Sequence, residues 1–215
     1  LGAGEGELKL TGAARQDKKN TWRYDLALDG SDFPAVRTPE IEADISPDLR
    51  LAGDTEYMDV TGSVLVPRVF VDVKQLPKSA VKVSEDQVIV NADGDLVRAE
   101  MNGNIFTDKV SGTLNVRLGD DISINGFGLT SRVSGGIDWK KKRGINLGTA
   151  SGNVIIETGV FKAYGQNMEI QNGRIEFAGP IDNPNLNLRA VRPTLSIQAG
   201  VDVTGTVRNP KISLF

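Results

Sequence analysis

Trp22-Arg23-Tyr24-Asp25-Leu26-Ala27-Leu28 places a large apolar residue at every second position, with charged or small residues between. A period of two is the signature of an extended strand with one apolar and one wet face, because successive side chains point to opposite sides. The same alternation returns in Val69, Val71 and Val73 against Phe70, Asp72 and Lys74. It returns again in Leu114, Val116 and Leu118, in Leu186 and Leu188, and in Val201, Val203 and Val207. Helical spacing is almost nowhere visible, so the chain reads as all-β.

Turn-forming pairs interrupt these runs at short intervals: Asp29-Gly30, Ser46-Pro47, Asn91 to Gly94, Asn102-Gly103, Asn125-Gly126, Asn172-Gly173, Asn183-Pro184 and Asn209-Pro210. Short turns between alternating strands predict antiparallel neighbours. Residues 76–84, with Pro77 and a weakened alternation, read as the longest irregular connection and as an internal seam within a single segment spanning 1–215.

A triplet of apolar residue, Ser or Thr, then Gly occurs six times, ending at Gly12, Gly62, Gly112, Gly135, Gly152 and Gly205. Each glycine falls on the apolar parity of its run, as in Val60, Gly62, Val64 and Val66, so these glycines are expected to face inward. Two roles fit: relief of crowding where a sheet coils sharply, or room for a ligand. Either requires a strongly curved sheet.

An exposed apolar sheet face forfeits roughly 1.5 to 3 kcal/mol for each large aliphatic residue left in water, so it must be covered. Without helices, the sheet can close into a barrel, pack as a sandwich or fold over into a trough. Periodicity does not choose among the three.

Composition restricts the chemistry. The chain has no Cys and no His, which removes thiol nucleophiles, disulfides and the commonest general base and zinc ligands. A net charge of -3 gives no excess of cations for a phosphate backbone, so nucleic acid is not an expected partner. Lys140, Lys141, Lys142 and Arg143 form the one basic run, read as a solvated hairpin turn, the alternative being an anion or lipid-headgroup site. The carboxylate pairs Glu85-Asp86 and Asp120-Asp121 are adjacent in sequence and so point to opposite faces in a strand. Asn91 to Asp95 has Leu96 where a calcium loop needs Gly. The opening Gly2, Gly4 and Gly6 introduce no helix to cradle a phosphate. No catalytic residue, metal or cofactor is expected, and an enzyme reading finds no convergent acid–base pair. The chain opens at Leu1-Gly2 without a signal peptide or an apolar run long enough to cross a bilayer; it is expected to be a piece of something longer, with any membrane anchor outside it.

The C-terminal third carries the most specific signal. It comprises Val160 to Gln166, then Ile170-Gln171-Asn172-Gly173-Arg174-Ile175-Glu176-Phe177-Ala178-Gly179-Pro180, then Asp182-Asn183-Pro184-Asn185-Leu186. These elements resemble the DUF490 region of the TamB family, and Ile45 to Leu49, Gly62 to Pro67, Leu76-Pro77, Val83 to Asp86 and Leu118 to Asp121 resemble it upstream. The resemblance implies a β-taco-like trough with an apolar interior. It further implies a periplasmic portion of an inner-membrane-anchored protein that bridges to the outer membrane. Partners implied are phospholipid acyl chains or unfolded outer-membrane β-protein such as an autotransporter, and a TamA-like outer-membrane protein contacted mostly through regions outside this chain. The resemblance implies a short C-terminal tail that contacts the outer-membrane partner, expected past the position of Phe215 and outside this chain.

On this reading the inner wall comprises Leu26, Leu28, Val64, Val71, Leu114, Leu118, Val133, Ile137, Val154, Ile156, Ile175, Phe177, Leu188 and Val203. It acts by shielding, with no bond made or broken. The alternative is a strand-edge chaperone or docking module for β-proteins, without lipid transport. Gly165, Gly173, Gly179, Pro180 and Pro184 are expected to set turns and register.

Overall fold

The computed structural model describes residues 6–17, 20–73, 109–126, 128–163, 166–193 and 199–215. The strands are β1 (Glu7–Gln16), β2 (Trp22–Ser31), β3 (Phe33–Arg37), β4 (Ile41–Asp54), β5 (Met58–Val73) and β6 (Val110–Gly126). They continue with β7 (Leu129–Lys141), β8 (Thr149–Ala163), β9 (Gln166–Pro180), β10 (Asn185–Val191), β11 (Gly200–Thr206) and β12 (Asn209–Leu214). All belong to one sheet in the order β1-β2-β4-β5-β6-β7-β8-β9-β10-β11-β12, with the short β3 beside β2 along the same edge of β4. β1 and β12 do not pair with each other, so the sheet is open and is not a barrel.

Every neighbouring pair is antiparallel except β5 and β6, which run parallel from Met58↔Val110 to Val73↔Gly126. This corrects the expectation of antiparallel neighbours throughout. Parallel neighbours need a long crossover, which no tight turn can supply. The intervening residues 74–108 lie outside the described residues, as do the predicted seam at 76–84 and the turns and acidic pair expected between 85 and 103.

The strands are longer than the turn signals suggest, reaching 17 residues in β6 against a usual length of about 5–6. Three predicted turns therefore lie inside strands: Asp29-Gly30 in β2, Ser46-Pro47 in β4 and Asn172-Gly173 in β9. Gly173 shows why. A Cβ there would sit 2.5 Å from the Cβ of Ile156 on β8, so its glycine is required by packing across the sheet. Asn125-Gly126 does close β6, and Asn183-Pro184 does lie in the β9–β10 connection. Asn209-Pro210 opens β12 just past the turn.

All six triplet glycines have positive φ, between 88° and 151°. At Gly112, φ is 151° and an added Cβ would lie 1.9 Å from the Val60 carbonyl oxygen; at Gly62, φ is 133° and the clash is with the Asp48 oxygen at 2.1 Å. Only glycine tolerates an extended backbone of this hand without collision. The atom that each glycine omits would strike the backbone of the adjoining strand, which favours the conformational role over the making of room.

Burial follows strand parity. In β10 exposed and half-buried residues alternate to a buried Val191, and in β9 Ile175 and Phe177 are half-buried between exposed Arg174, Glu176 and Ala178. The buried apolar set is small: Val60, Ile122, Val133, Ala150 and Val191. Among the described residues no side chain is under 2% exposed. A sandwich core would bury many more, and among the described residues no second sheet covers this one.

Candidate apolar face

Residues directly paired across a sheet share a face, so the register can be followed strand by strand. Leu28 continues through Leu49, Gly62, Leu114, Trp139 and Ala150 to Gly179. Val64 continues through Val116, Ile137 and Gly152 to Phe177. Leu118 continues through Gly135, Val154, Ile175 and Leu186 to Gly205. Leu26 lies in the row of Gly12, Leu51, Val60 and Gly112, and Val71 in that of Ile41, Ile124 and Ser131. Val133 pairs with Ile156, and Leu188 with Gly173 and Val203. The register thus brings the fourteen predicted lining residues and the six glycines to one face. Val133 is buried and the other thirteen are half-buried.

Bulges keep that face continuous. Val64 and Val71 have opposite parity in sequence, yet the register shift between Val66 and Arg68 returns both to the same side. The sequence reading missed Leu49, Leu51, Ile122, Ile124 and Trp139, which share the face, and left Val116 out of the lining although it stands in the alternating run of Leu114 and Leu118. Most could have been found from the parity of their neighbours once the strands were known to be long.

Lys141 is the largest departure. Its sequence neighbours suggested a solvated turn, but it closes β7 on the parity of Trp139, opposite Gly112, and is 6% exposed. Its Nζ donates to the Val110 carbonyl oxygen at 2.6 Å, which allows the cation to stay at the end of an apolar row. Lys142 and Arg143 do occupy the exposed turn.

The opposite face is laced with charge. Arg50 forks onto Asp25 at 2.9 and 2.5 Å, and Arg189 onto Asp202 at 2.9 and 3.1 Å. Asp44 is buried and receives Arg37 and Arg68, the latter at 2.8 Å. Burial pushes its carboxyl up, but the hydrogen bonds from Arg37 and Arg68 together hold it below the ordinary carboxylate value. Open concavities of about 530 and 590 Å³ lie mainly along this polar side, the first beside Asp25, Asp48 and Arg50, the second beside Asn115, Asp138 and Lys140. Of the predicted lining residues only Leu114 borders either.

Among the described residues no three acidic side chains converge on a metal position, and no helix is long and apolar enough to cross a membrane. Such an apolar surface can sequester apolar groups over a long path.

Comparison with known proteins agrees with the motif resemblance. The chain is 27% identical over 221 aligned positions to the translocation and assembly module subunit TamB of Haemophilus influenzae, an alignment covering 98% of this chain and 17% of that protein. The sequence model of the TamB C-terminal domain matches residues 1–215, and the chain belongs to that family.

Proposed function

We propose that the apolar face is a shielding surface for the acyl chains of phospholipid moving between the inner and outer membranes, in the periplasmic part of a translocation and assembly module. On this reading the triplet glycines coil the sheet so that the apolar rows become the floor and walls of a trough. The observation that carries it is the half-burial of thirteen of the fourteen lining residues, on a sheet that no second layer covers among the described residues. A structural core would bury them, and an ordinary wet face would not be aliphatic. Acyl chains suit such a surface because each methylene removed from water contributes about 0.8 kcal/mol with little demand on direction. The chain spans 17% of the length of the Haemophilus influenzae relative.

Photo-crosslinking residues at Val71, Leu118 and Phe177 test this reading in living cells. Phospholipid adducts at all three positions are expected; polypeptide adducts alone would sink it.

A second reading is favoured by one feature. β12 pairs only with β11, and it presents Ile212 at 68% and Leu214 at 81% exposure beside an open row of backbone groups. That edge suits pairing with an unfolded outer-membrane β-strand, and crosslinkers at Ile212 that capture such strands would support it.

A further inference from the structure

The basic run at the β7–β8 connection takes no part in the apolar face except through Lys141. Lys140, Lys142 and Arg143 are exposed, and among the described residues no carboxylate pairs with any of them. The Arg143 guanidinium instead lies 4.2 Å over the ring of Tyr57, in the β4–β5 connection. Within three residues the same turn exposes Ile145 at 47% and Leu147 at 45%. Nearly half of each of these aliphatic residues stays in water where it stands.

The turn is held in shape. The Trp139 indole N–H donates to the Leu147 carbonyl at 2.9 Å, and the Ile145 N–H donates to the Lys142 carbonyl at 3.3 Å. The antiparallel register brings the β1–β2 and β11–β12 connections to the same end of the sheet, where Trp22 and Val207 are also exposed. Unpaired cations immediately beside exposed aliphatic groups, in a chain whose net charge is -3, match a layered partner: anion outside, hydrocarbon just beneath. An acidic protein surface offers only the first layer.

We infer that the β7–β8 turn docks on an anionic phospholipid bilayer, with Lys140, Lys142 and Arg143 at the headgroup phosphates and Ile145 and Leu147 at the acyl boundary. The docking is independent of the shielding role: it needs a bilayer surface and makes no use of the apolar rows, so its failure leaves that role standing.

The test is flotation of the chain with phosphatidylcholine vesicles, with and without phosphatidylglycerol. Binding is expected only to the anionic vesicles. Near such a surface each basic residue strengthens binding roughly fivefold, so K142E/R143E is expected to lose at least about 25-fold in affinity. I145S/L147S is expected to weaken binding while keeping the preference for anionic lipid, and K142R/R143K to bind like the parent. Circular dichroism on each variant verifies that the sheet is intact, as the exposure of all four positions leads one to expect. No binding by the parent, equal binding to neutral vesicles, or undiminished binding by a folded K142E/R143E would each overturn the inference.

Discussion

β6 and β12 contribute to the same face with the same kind of side chain, yet Ile122 is 4% exposed and Ile212 is 68% exposed. Both are isoleucines in strands of alternating pattern, so chemistry does not separate them. Position in the sheet does: β6 lies between β5 and β7, while β12 has β11 on one side alone. β1 repeats the lesson at the other edge, where Leu8 and Leu10 are exposed. Among the described residues no layer lies above the face, so shielding there comes sideways, from strands on either hand, and fades toward the edges. Apolar residues reach both edges of the face, but their contribution to stability is concentrated in the middle.

The largest effect should come from breaking the backbone on which the middle depends. Gly112→Leu places a side chain at φ 151° against the Val60 carbonyl and is expected to cost several kcal/mol, enough to prevent folding. Gly144→Ala is the control: it also has positive φ, at 75°, but nothing lies within 4 Å of the added Cβ, so only about 1–2 kcal/mol of local strain is expected. Urea denaturation of both variants separates clash from φ alone. A stable Gly112→Leu that blocked lipid passage would return these glycines to the role of making room.

Next in size is Ile122→Ala, which leaves a cavity at one of the most buried positions of the face and is expected to lose about 2–4 kcal/mol. A loss below about 1 kcal/mol would mean that the centre of the face is no better covered than its edges.

These contrasts also mark what could be read from the residues. The alternation at Trp22 to Leu28 and Val69 to Val73 gave the strands and their faces, because period two is a local property of the chain. The apolar–Ser/Thr–Gly triplet was visible too, although its cause, a backbone of the opposite hand, needs the adjoining strand to be seen. Register was out of reach wherever two strands decide it jointly. The shift at Val66/Arg68 is one case, and the parallel pairing of β5 with β6 is another. Asn172-Gly173 looked like a turn because Asn and Gly favour one, whereas Ile156 across the sheet settled the matter. Lys141 was hidden in a basic run, although its parity with Trp139 already placed it on the apolar side.

The polar face allows a smaller effect with a pH signature. Asp44 has a folded-state value below its ordinary 3.8, so the stability it contributes is fully present above about pH 4. That contribution is lost as the pH falls through the lower folded-state value. Asp44→Asn is expected to cost about 1–2 kcal/mol at neutral pH, a modest figure because Arg37 and Arg68 are each more than a third exposed and can rehydrate. It should also flatten the acid limb of stability measured below pH 4. An unchanged acid limb would remove Asp44 from that account.

The smallest effect is expected at the edge. Ile212→Ala removes as many carbons as Ile122→Ala but from a side chain already two-thirds in water, so its cost should stay within about 0.5 kcal/mol. The pair of variants compares shielding at the middle and at the edge, since residue type, sheet and face are held constant while the number of adjoining strands differs. Should Ile212→Ala prove as damaging as Ile122→Ala, β12 must be covered in solution. Repeating the denaturation over a range of protein concentrations then identifies the cover: a second copy of this chain makes the loss depend on concentration, whereas a segment of the same chain folded over the edge does not.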